Sequence, residues 1–111
     1  MITVREINNY DEFNLFTSMD TDKLHVIKLG AEWCGPCRVL SNTISNLDET
    51  KAENVLFGEV DIDNDGCEKI VESFKVRNIP VTLFIKNGEV LDKKVGGINA
   101  EEIYNTINMY K

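Results

Sequence analysis

The chain has 111 residues, of which 42% are hydrophobic and 28% are charged, and this balance favours a globular protein over a disordered or fibrous one. Its length predicts one domain covering residues 1–111, with enough core to fold without metal or disulfide staples. Nineteen acidic residues outweigh twelve basic ones to give a net charge of −7, which argues against binding to nucleic acid or to an anionic membrane and favours a monomer.

The first half of the chain alternates short apolar runs with amphipathic segments. Residues 2–7 predict an edge strand, and residues 9–19 predict a helix with phenylalanines on one face. The β-branched run at 25–29 predicts a buried parallel strand, and a helix should follow it from residue 35 to about residue 51. The residues expected to face inward on that helix are Val39, Leu40, Ile44 and Leu47.

The second half is predicted to contain a strand, a helix, two hairpin strands and a final helix, at 55–62, 67–74, 81–85, 89–95 and from Asn99 onward. Asn87-Gly88 is typical of a type I′ hairpin turn, because both central residues of that turn need positive φ. The order β-α-β-α-β-α-β-β-α predicts an α/β fold, a mixed central β-sheet flanked by helices on both faces. Its first three strands should be parallel, and the hairpin should form an antiparallel edge.

Cys34 and Cys37 lie where a buried strand gives way to a helix. At a helix N-terminus, free N–H groups and the helix dipole stabilise a thiolate, and Arg38 adds a nearby positive charge. Cys34 should be the more exposed thiol, and Cys37 lies one turn further along the same face, close enough to form a disulfide. Pro36 is tolerated in the first turn and stiffens the loop. These features favour thiol–disulfide exchange.

Two other uses of a Cys-x-x-Cys pair are open at this point. A structural zinc site needs four ligands, and the only further candidates, Cys67 and His25, stand at no familiar spacing. The pair could instead be inert core residues, but a helix N-terminus disposes a thiol to react. We therefore predict a redox pair and no metal.

The use of cysteine also bears on the compartment. Three cysteines are too few, and odd in number, for a secreted disulfide framework. The first six residues lack a basic segment followed by an apolar run, and no apolar stretch approaches the length of a membrane span. We expect a cytoplasmic protein.

The segment 31–37 (AEWCGPC) resembles the active-site signature of the thioredoxin family. The segment 77–80 (RNIP) resembles the loop in which that family has a cis proline, and residues 86–89 and 95–97 are similar to its hairpin and the glycine after it. Most X–Pro bonds are trans, so a cis bond here is implied by the resemblance alone. The likeness extends over essentially the entire chain.

The resemblance implies a thioredoxin fold and a protein-disulfide reductase. In such an enzyme Cys34 is the attacking nucleophile and Cys37 is the buried resolving thiol. No organic cofactor is implied, and electrons would come from a flavoprotein disulfide reductase. The residues implied to bind an extended segment of a disulfide-containing protein substrate are Trp33, Gly35, Pro36, Ile79, Pro80 and Gly96.

One departure from the family bears on mechanism. Six residues before the first cysteine, where the family usually has a buried carboxylate, this chain has Lys28, and where the next strand commonly carries a lysine it has Glu59. Since an isolated buried ion is costly, we interpret the two as partners beneath Cys37, with Glu59 accepting its proton and Lys28 favouring its thiolate. The alternative is that each side chain points outward to solvent.

Three further features are interpreted as structural. Residues 61–66, with Glu72 six positions later, fit the written pattern of an EF-hand calcium loop, but a strand rather than a helix precedes them. Cys67 is interpreted as a small packing residue. His25 opens a strand and has no visible catalytic partner.

The sequence as a whole predicts a dithiol–disulfide oxidoreductase that reduces protein disulfides. One alternative is a redox domain that serves a dedicated partner or works in the oxidising direction, although Gly35-Pro36 resembles the reducing members. Another is a binding module that keeps the fold without the chemistry, which the presence of both cysteines argues against.

Overall fold

The structure, a computed structural model, describes residues 1–111. Its strands are β1 (Val4–Ile7), β2 (Leu24–Gly30), β3 (Val55–Asp61), β4 (Val81–Lys86) and β5 (Glu89–Val95). Its α-helices are α1 (Tyr10–Ser18), α2 (Gly35–Ser45), α3 (Glu68–Ser73) and α4 (Ala100–Tyr110), with short 3₁₀ helices at Glu49–Lys51 and Asp65–Cys67. This is the predicted order of elements.

All five strands lie in one sheet, in the order β1-β3-β2-β4-β5. β1, β3 and β2 run parallel, whereas β4 is antiparallel to both β2 and β5, so the sheet is mixed as predicted. The register pairs Leu29 on β2 with Val81 on β4. The segment after β2, which carries the cysteines, therefore lies beside the segment that leads into β4.

Apolar side chains fill both faces of the sheet. One cluster packs α1 and α3 against the sheet, through buried residues that include Phe13, Phe16, Ile27, Ile70 and Leu83. The other packs α2 and α4 against the opposite face, through residues that include Val26, Leu40, Ile44, Phe84, Ile103 and Ile107. The predicted helices on both faces are confirmed. None of these helices combines the length and the apolar character needed to cross a bilayer.

Local polar residues fix where the elements begin and turn. The Asn9 side chain accepts a hydrogen bond from the N–H of Glu12 at 2.8 Å, and the Glu12 carboxylate accepts one from the N–H of Asn8 at 3.0 Å. This reciprocal arrangement satisfies the free donors at the start of α1. In the β4–β5 turn, Asn87 has φ 53° and Gly88 has φ 76°. Positive φ at both positions is what the Asn-Gly pair predicted.

The prediction for α2 was wrong at its C-terminal end and at one inward residue. The helix ends at Ser45, about six residues early, because the Asp48 carboxylate accepts hydrogen bonds from the N–H and the hydroxyl of Thr50 and so starts a separate 3₁₀ turn. Leu40, Ile44 and Leu47 are buried as predicted. Val39 is 68% exposed, because each step along a helix rotates the side chain by about 100° and carries it off that face.

Thr82 on β4 provides a stability prediction. Its side chain is fully buried, and its Oγ1 has no hydrogen-bond partner in the protein. Thr82→Val should raise the free energy of unfolding by about 1 kcal/mol, because it removes an unsatisfied buried hydroxyl and keeps the β-branched shape. Urea denaturation measures the change.

Thr106→Val is the matched control. Thr106 is also buried, but its Oγ1 donates to the carbonyl oxygen of Glu102 at 2.8 Å. The same substitution there should lower the free energy of unfolding by about 1 kcal/mol. Destabilisation of similar size in both variants would contradict the assignment of Thr82 as unsatisfied.

Candidate active site

Cys34 and Cys37 form a disulfide at the start of α2, with their Cα atoms 5.2 Å apart. Cys34 is the N-cap of the helix, and its Sγ accepts a hydrogen bond from the backbone N–H of Cys37 at 3.3 Å. The same helix end would therefore stabilise negative charge on that sulfur after reduction.

Cys34 is more accessible than Cys37, as predicted. Cys34 is 7% exposed and Cys37 is 1% exposed, so Cys34 is the more accessible thiol, although less open to solvent than we expected. Ala31 packs with both cysteines, and the partly buried Ile62 and Ile79 close over the same cluster. These neighbours cover the disulfide and leave only a small part of Cys34 at the surface.

The loop before β4 lies beside this cluster. The Ile79–Pro80 peptide bond is cis, as the resemblance implied. The carbonyl oxygen of Pro80 accepts a hydrogen bond from the N–H of Gly96 at 2.8 Å, so Gly96 is held next to the proline. The structure thus packs Ile79 against the cysteine cluster and holds Gly96 next to Pro80. The predicted binding residues Gly35 and Pro36 occupy the first turn of α2.

Trp33 lies on the outer side of the disulfide. Its side chain is 67% exposed, and its indole Nε1–H donates to Asp63 Oδ2 at 2.7 Å. This bond fixes an exposed aromatic ring immediately before Cys34. Next to it, the Arg38 guanidinium donates to the carbonyl oxygen of Glu32 at 2.6 Å, which ties the first turn of α2 to the loop before it.

The unusual charges of β2 and β3 meet beneath Cys37. Lys28 and Glu59 are register partners, and Lys28 Nζ lies 3.7 Å from Glu59 Oε2. The Lys28 side chain is 10% exposed and that of Glu59 is 37% exposed, so the pair is buried at the ammonium and reaches solvent at the carboxylate. The Lys28 ammonium also donates a hydrogen bond to Ser41 Oγ on α2.

A cavity of about 610 Å³ connects this pair with the disulfide, since Lys28, Glu59, Ser41 and Cys37 all line it. Gly30 is a further part of its wall. A β-carbon at Gly30 would stand 2.9 Å from Cys37 Sγ and 3.7 Å from Lys28 Cε. Cys37 and the Lys28 stem therefore approach each other through the space that a side chain at residue 30 would fill.

Comparison with known proteins supports the fold and the redox cysteine pair that the sequence predicted. The thioredoxin family model matches residues 4–109.

The chain belongs to the thioredoxin family.

It is 36% identical over 110 residues to thioredoxin of Callithrix jacchus, covering 96% of this chain and 98% of that one, and 38% identical over 94 residues to thioredoxin of Coprinus comatus, covering 84% and 85%. An X-ray structure of Fasciola hepatica thioredoxin superimposes with a TM-score of 0.86 at 27% identity and covers 97% of this chain and 100% of that one.

Thioredoxins are thiol–disulfide oxidoreductases that act on disulfide substrates, and their redox-active cysteine pair is present here as Cys34 and Cys37. The predicted thioredoxin fold and the predicted thiol–disulfide oxidoreductase activity are therefore confirmed.

Two further titratable side chains, Cys67 and His25, are buried in the core. Cys67 is fully buried and its Sγ–H donates to the carbonyl oxygen of Ile7 at 3.5 Å. Burial raises the pKa of the Cys67 thiol, and the negative charges of Asp61 and Glu12 raise it further. His25 is fully buried and packs edge-on against Phe16, with 5.2 Å between ring centroids. Both belong to the core.

The calcium-like segment after β3 makes local turns. Asp61 Oδ1 accepts a hydrogen bond from the N–H of Asp63, and Asn64 Oδ1 accepts one from the N–H of Gly66, each at 2.9 Å. These bonds direct the chain from the end of β3 into the 3₁₀ turn before α3, as the sequence predicted.

Two contact residues were missed from the sequence. Asp63, which binds Trp33, carries no local signal because the two are thirty residues apart. Ser41, which binds Lys28, does carry a local sequence signal. It follows Cys37 by four residues and lies near Leu40 and Ile44, so it is a polar residue beside the inward face of α2.

Proposed function

We propose that this oxidoreductase works in the reducing direction and converts disulfides of protein substrates into pairs of thiols. The reducing direction is supported by Gly35-Pro36, which resembles the reducing members of the family. The exchange chemistry itself is carried by the position of Cys34 Sγ at the N-cap of α2, where it accepts the N–H of Cys37. A thiolate at that position is stabilised near neutral pH and is therefore available to attack.

The proposed reaction conserves atoms and electrons in two exchanges. The Cys34 thiolate attacks one sulfur of the substrate disulfide, a mixed disulfide forms, and the other substrate sulfur leaves as a thiolate that takes a proton. Cys37 then loses its proton and attacks Cys34 Sγ. The Cys34–Cys37 bond forms, the bond to the substrate breaks, and the second substrate sulfur leaves. Two electrons have passed from the protein to the substrate.

We assign substrate docking to the surface around Cys34. Trp33 offers an exposed aromatic face, Ile79 packs against the cysteines, and the buried Pro80 follows Ile79 through the cis bond. An extended segment that crosses this surface would meet apolar side chains together with exposed backbone groups, which is how grooves commonly hold peptides. The residues proposed to form the surface are Trp33, Gly35, Pro36, Ile79, Pro80 and Gly96.

We further assign Glu59 and Lys28 to the second exchange. Glu59 lines the cavity that reaches Cys37 and is partly open to solvent, so it can accept the Cys37 proton through water and release it outside. Lys28 pairs with Glu59 and lines the same cavity as Cys37, so its positive charge favours the Cys37 thiolate over the thiol.

Glu59→Gln tests this role. The substitution keeps the shape but cannot take a proton, so turnover in dithiothreitol-driven insulin reduction should fall by about tenfold and the pH profile should flatten. Glu6→Gln is the control, because Glu6 is the register neighbour of Glu59 on β1 and lines the same cavity but does not contact Lys28. Equal rates for wild type and Glu59→Gln would remove Glu59 from the mechanism.

We also propose an electron donor, a cellular compartment and an oligomeric state. A flavoprotein disulfide reductase would return electrons to the Cys34–Cys37 disulfide, and no resident cofactor or metal is invoked. The odd and low number of cysteines supports a reducing, cytoplasmic setting, and the net charge of −7 supports a monomer.

The direction of the reaction is tested by the reduction potential of the Cys34–Cys37 couple, measured by equilibration with glutathione, together with insulin reduction. A reductase should have a potential near that of reducing members, about −270 mV, and should accelerate insulin reduction. A reduction potential of about −120 mV, together with oxidation of dithiol peptides, would instead support the oxidising alternative. Binding of partners that is unchanged in the Cys34→Ser/Cys37→Ser variant would support a binding module.

A further inference from the structure

The buried ammonium of Lys28 has two partners of different kinds. Its Nζ lies 3.7 Å from Glu59 Oε2, which is ion-pair distance but longer than a hydrogen bond of about 2.7–3.2 Å. Its one hydrogen bond within the protein is the bond that it donates to Ser41 Oγ. A hydrogen bond is directional, whereas an ion pair at this distance is not. The bond to Ser41 therefore fixes the position of the Lys28 ammonium.

Ser41 and Cys37 are neighbours on α2. They are four residues apart, so their side chains lie on the same side of the helix in successive turns. Lys28 reaches the same place from β2, and Gly30 adds no side chain to separate its stem from the Cys37 sulfur. A charge held at Ser41 is therefore held next to Cys37.

The cavities around Lys28 leave space for its ammonium to take other positions. Lys28, Ser41 and Glu59 line both the cavity of about 610 Å³ that reaches Cys37 and a second cavity of about 270 Å³ on the side of Val4 and Ser45. A flexible lysine side chain without the Ser41 hydroxyl can move within this space, away from the sulfur.

We propose that Ser41 is a positioning residue that holds the Lys28 ammonium beside Cys37 and thereby stabilises the Cys37 thiolate. This inference rests on the role of Lys28 in the proposed function. The proton of Cys37 leaves for Glu59, the thiolate attacks Cys34 of the mixed disulfide, the Cys34–Cys37 bond forms, and the substrate sulfur leaves with the electron pair of the broken bond. Ser41 neither gains nor loses a proton.

The test measures the ionisation of Cys37 directly, by thiolate absorbance at 240 nm between pH 5 and pH 9.5. It uses the full chain with Cys34→Ser, so that Cys37 is the thiol of the pair, and subtracts the spectrum of Cys34→Ser/Cys37→Ser at each pH. Ser41→Ala should raise the titration midpoint by about half to one pH unit, and Lys28→Met should raise it by about one to three. Far-UV circular dichroism checks that each variant is folded.

Three matched variants separate positioning from a structural effect. Ser41→Thr keeps the hydroxyl and should restore the midpoint. Ser45→Ala, one turn further along α2 at the second cavity, should leave it unchanged. Ser41→Ala added to Lys28→Met should cause no further shift, because the effect of Ser41 passes through Lys28.

The outcomes distinguish this inference from the function on which it rests. A midpoint unchanged by Ser41→Ala but raised by Lys28→Met would overturn the role of Ser41 and leave that of Lys28 in place. A midpoint unchanged by Lys28→Met would overturn both. If the wild-type protein does not reduce insulin, the reductase proposal is rejected whatever the titrations show.

Discussion

Cys34→Ser should lower the rate of insulin reduction by at least about a thousandfold, because a serine hydroxyl at the N-cap of α2 cannot replace a thiolate as the nucleophile. Cys37→Ser should also lose turnover, but for a different reason. Cys34 remains able to attack, and the mixed disulfide with the substrate accumulates because no second thiol resolves it. The rate is followed by insulin turbidity with dithiothreitol. The adduct is followed by intact mass after the pre-reduced variant is mixed with insulin without dithiothreitol, because that dithiol would itself cleave the mixed disulfide.

The two substitutions therefore give different products, and this difference is the diagnostic result. A trapped adduct is expected with Cys37→Ser and not with Cys34→Ser. Cys67→Ala is the control for loss of a thiol as such, since Cys67 is fully buried in the core cluster of α1 and α3 and should leave the rate near that of wild type. An adduct that forms on Cys37 in Cys34→Ser would reverse the proposed roles.

Gly66→Ala should lower the free energy of unfolding by about 1–3 kcal/mol, which for a chain of this size lowers Tm by roughly 5–20 °C. A β-carbon at residue 66 would stand 2.5 Å from the backbone carbonyl oxygen of Asn8 and 3.1 Å from Asn9 Cβ. The backbone oxygen belongs to the segment that begins α1, so relief requires a shift of the chain itself rather than of one side chain.

Gly97→Ala is the matched control, because no atom lies within 4 Å of the β-carbon it would add and its φ is not in the left-handed region. Its Tm should change little. Calorimetry of the two variants gives the comparison, and equal Tm values would show that the approach of Asn8 does not constrain residue 66. The result also bears on the calcium-like pattern, because it assigns its glycine to packing against the start of α1 rather than to an ion-binding turn.

The order of elements and the cysteine chemistry could be predicted from local signals. The Asn87-Gly88 pair and the placement of Cys34 at a strand-to-helix boundary each act within a few residues, and the structure agrees with both. The end of α2 depended on Asp48, whose carboxylate competes for backbone N–H groups that a helix would otherwise use. Periodicity alone does not register such competition.

Contacts between distant segments were predictable only where an imbalance pointed to them. Lys28 and Glu59 interrupt apolar strands with opposite charges, and they were paired from the family resemblance together with the requirement that a buried ion have a partner. Asp63 and Trp33 offered no such imbalance, because each is an ordinary surface residue until the register of the sheet brings the two together. Ser41 falls between these cases, since its polarity beside an apolar helix face was visible but its partner was not.

The exchanged signs of Lys28 and Glu59 also restrict how such a site can arise from one with the opposite arrangement. The pair is electrically neutral in either orientation, but changing one end at a time places two like charges on neighbouring strands, where they repel. A chain that exchanged the two signs by single substitutions would pass through a state with two like charges or through one that lacks a charge. Reversing the charge of either residue alone is therefore expected to be unfavourable, and the two positions are best compared jointly among related chains.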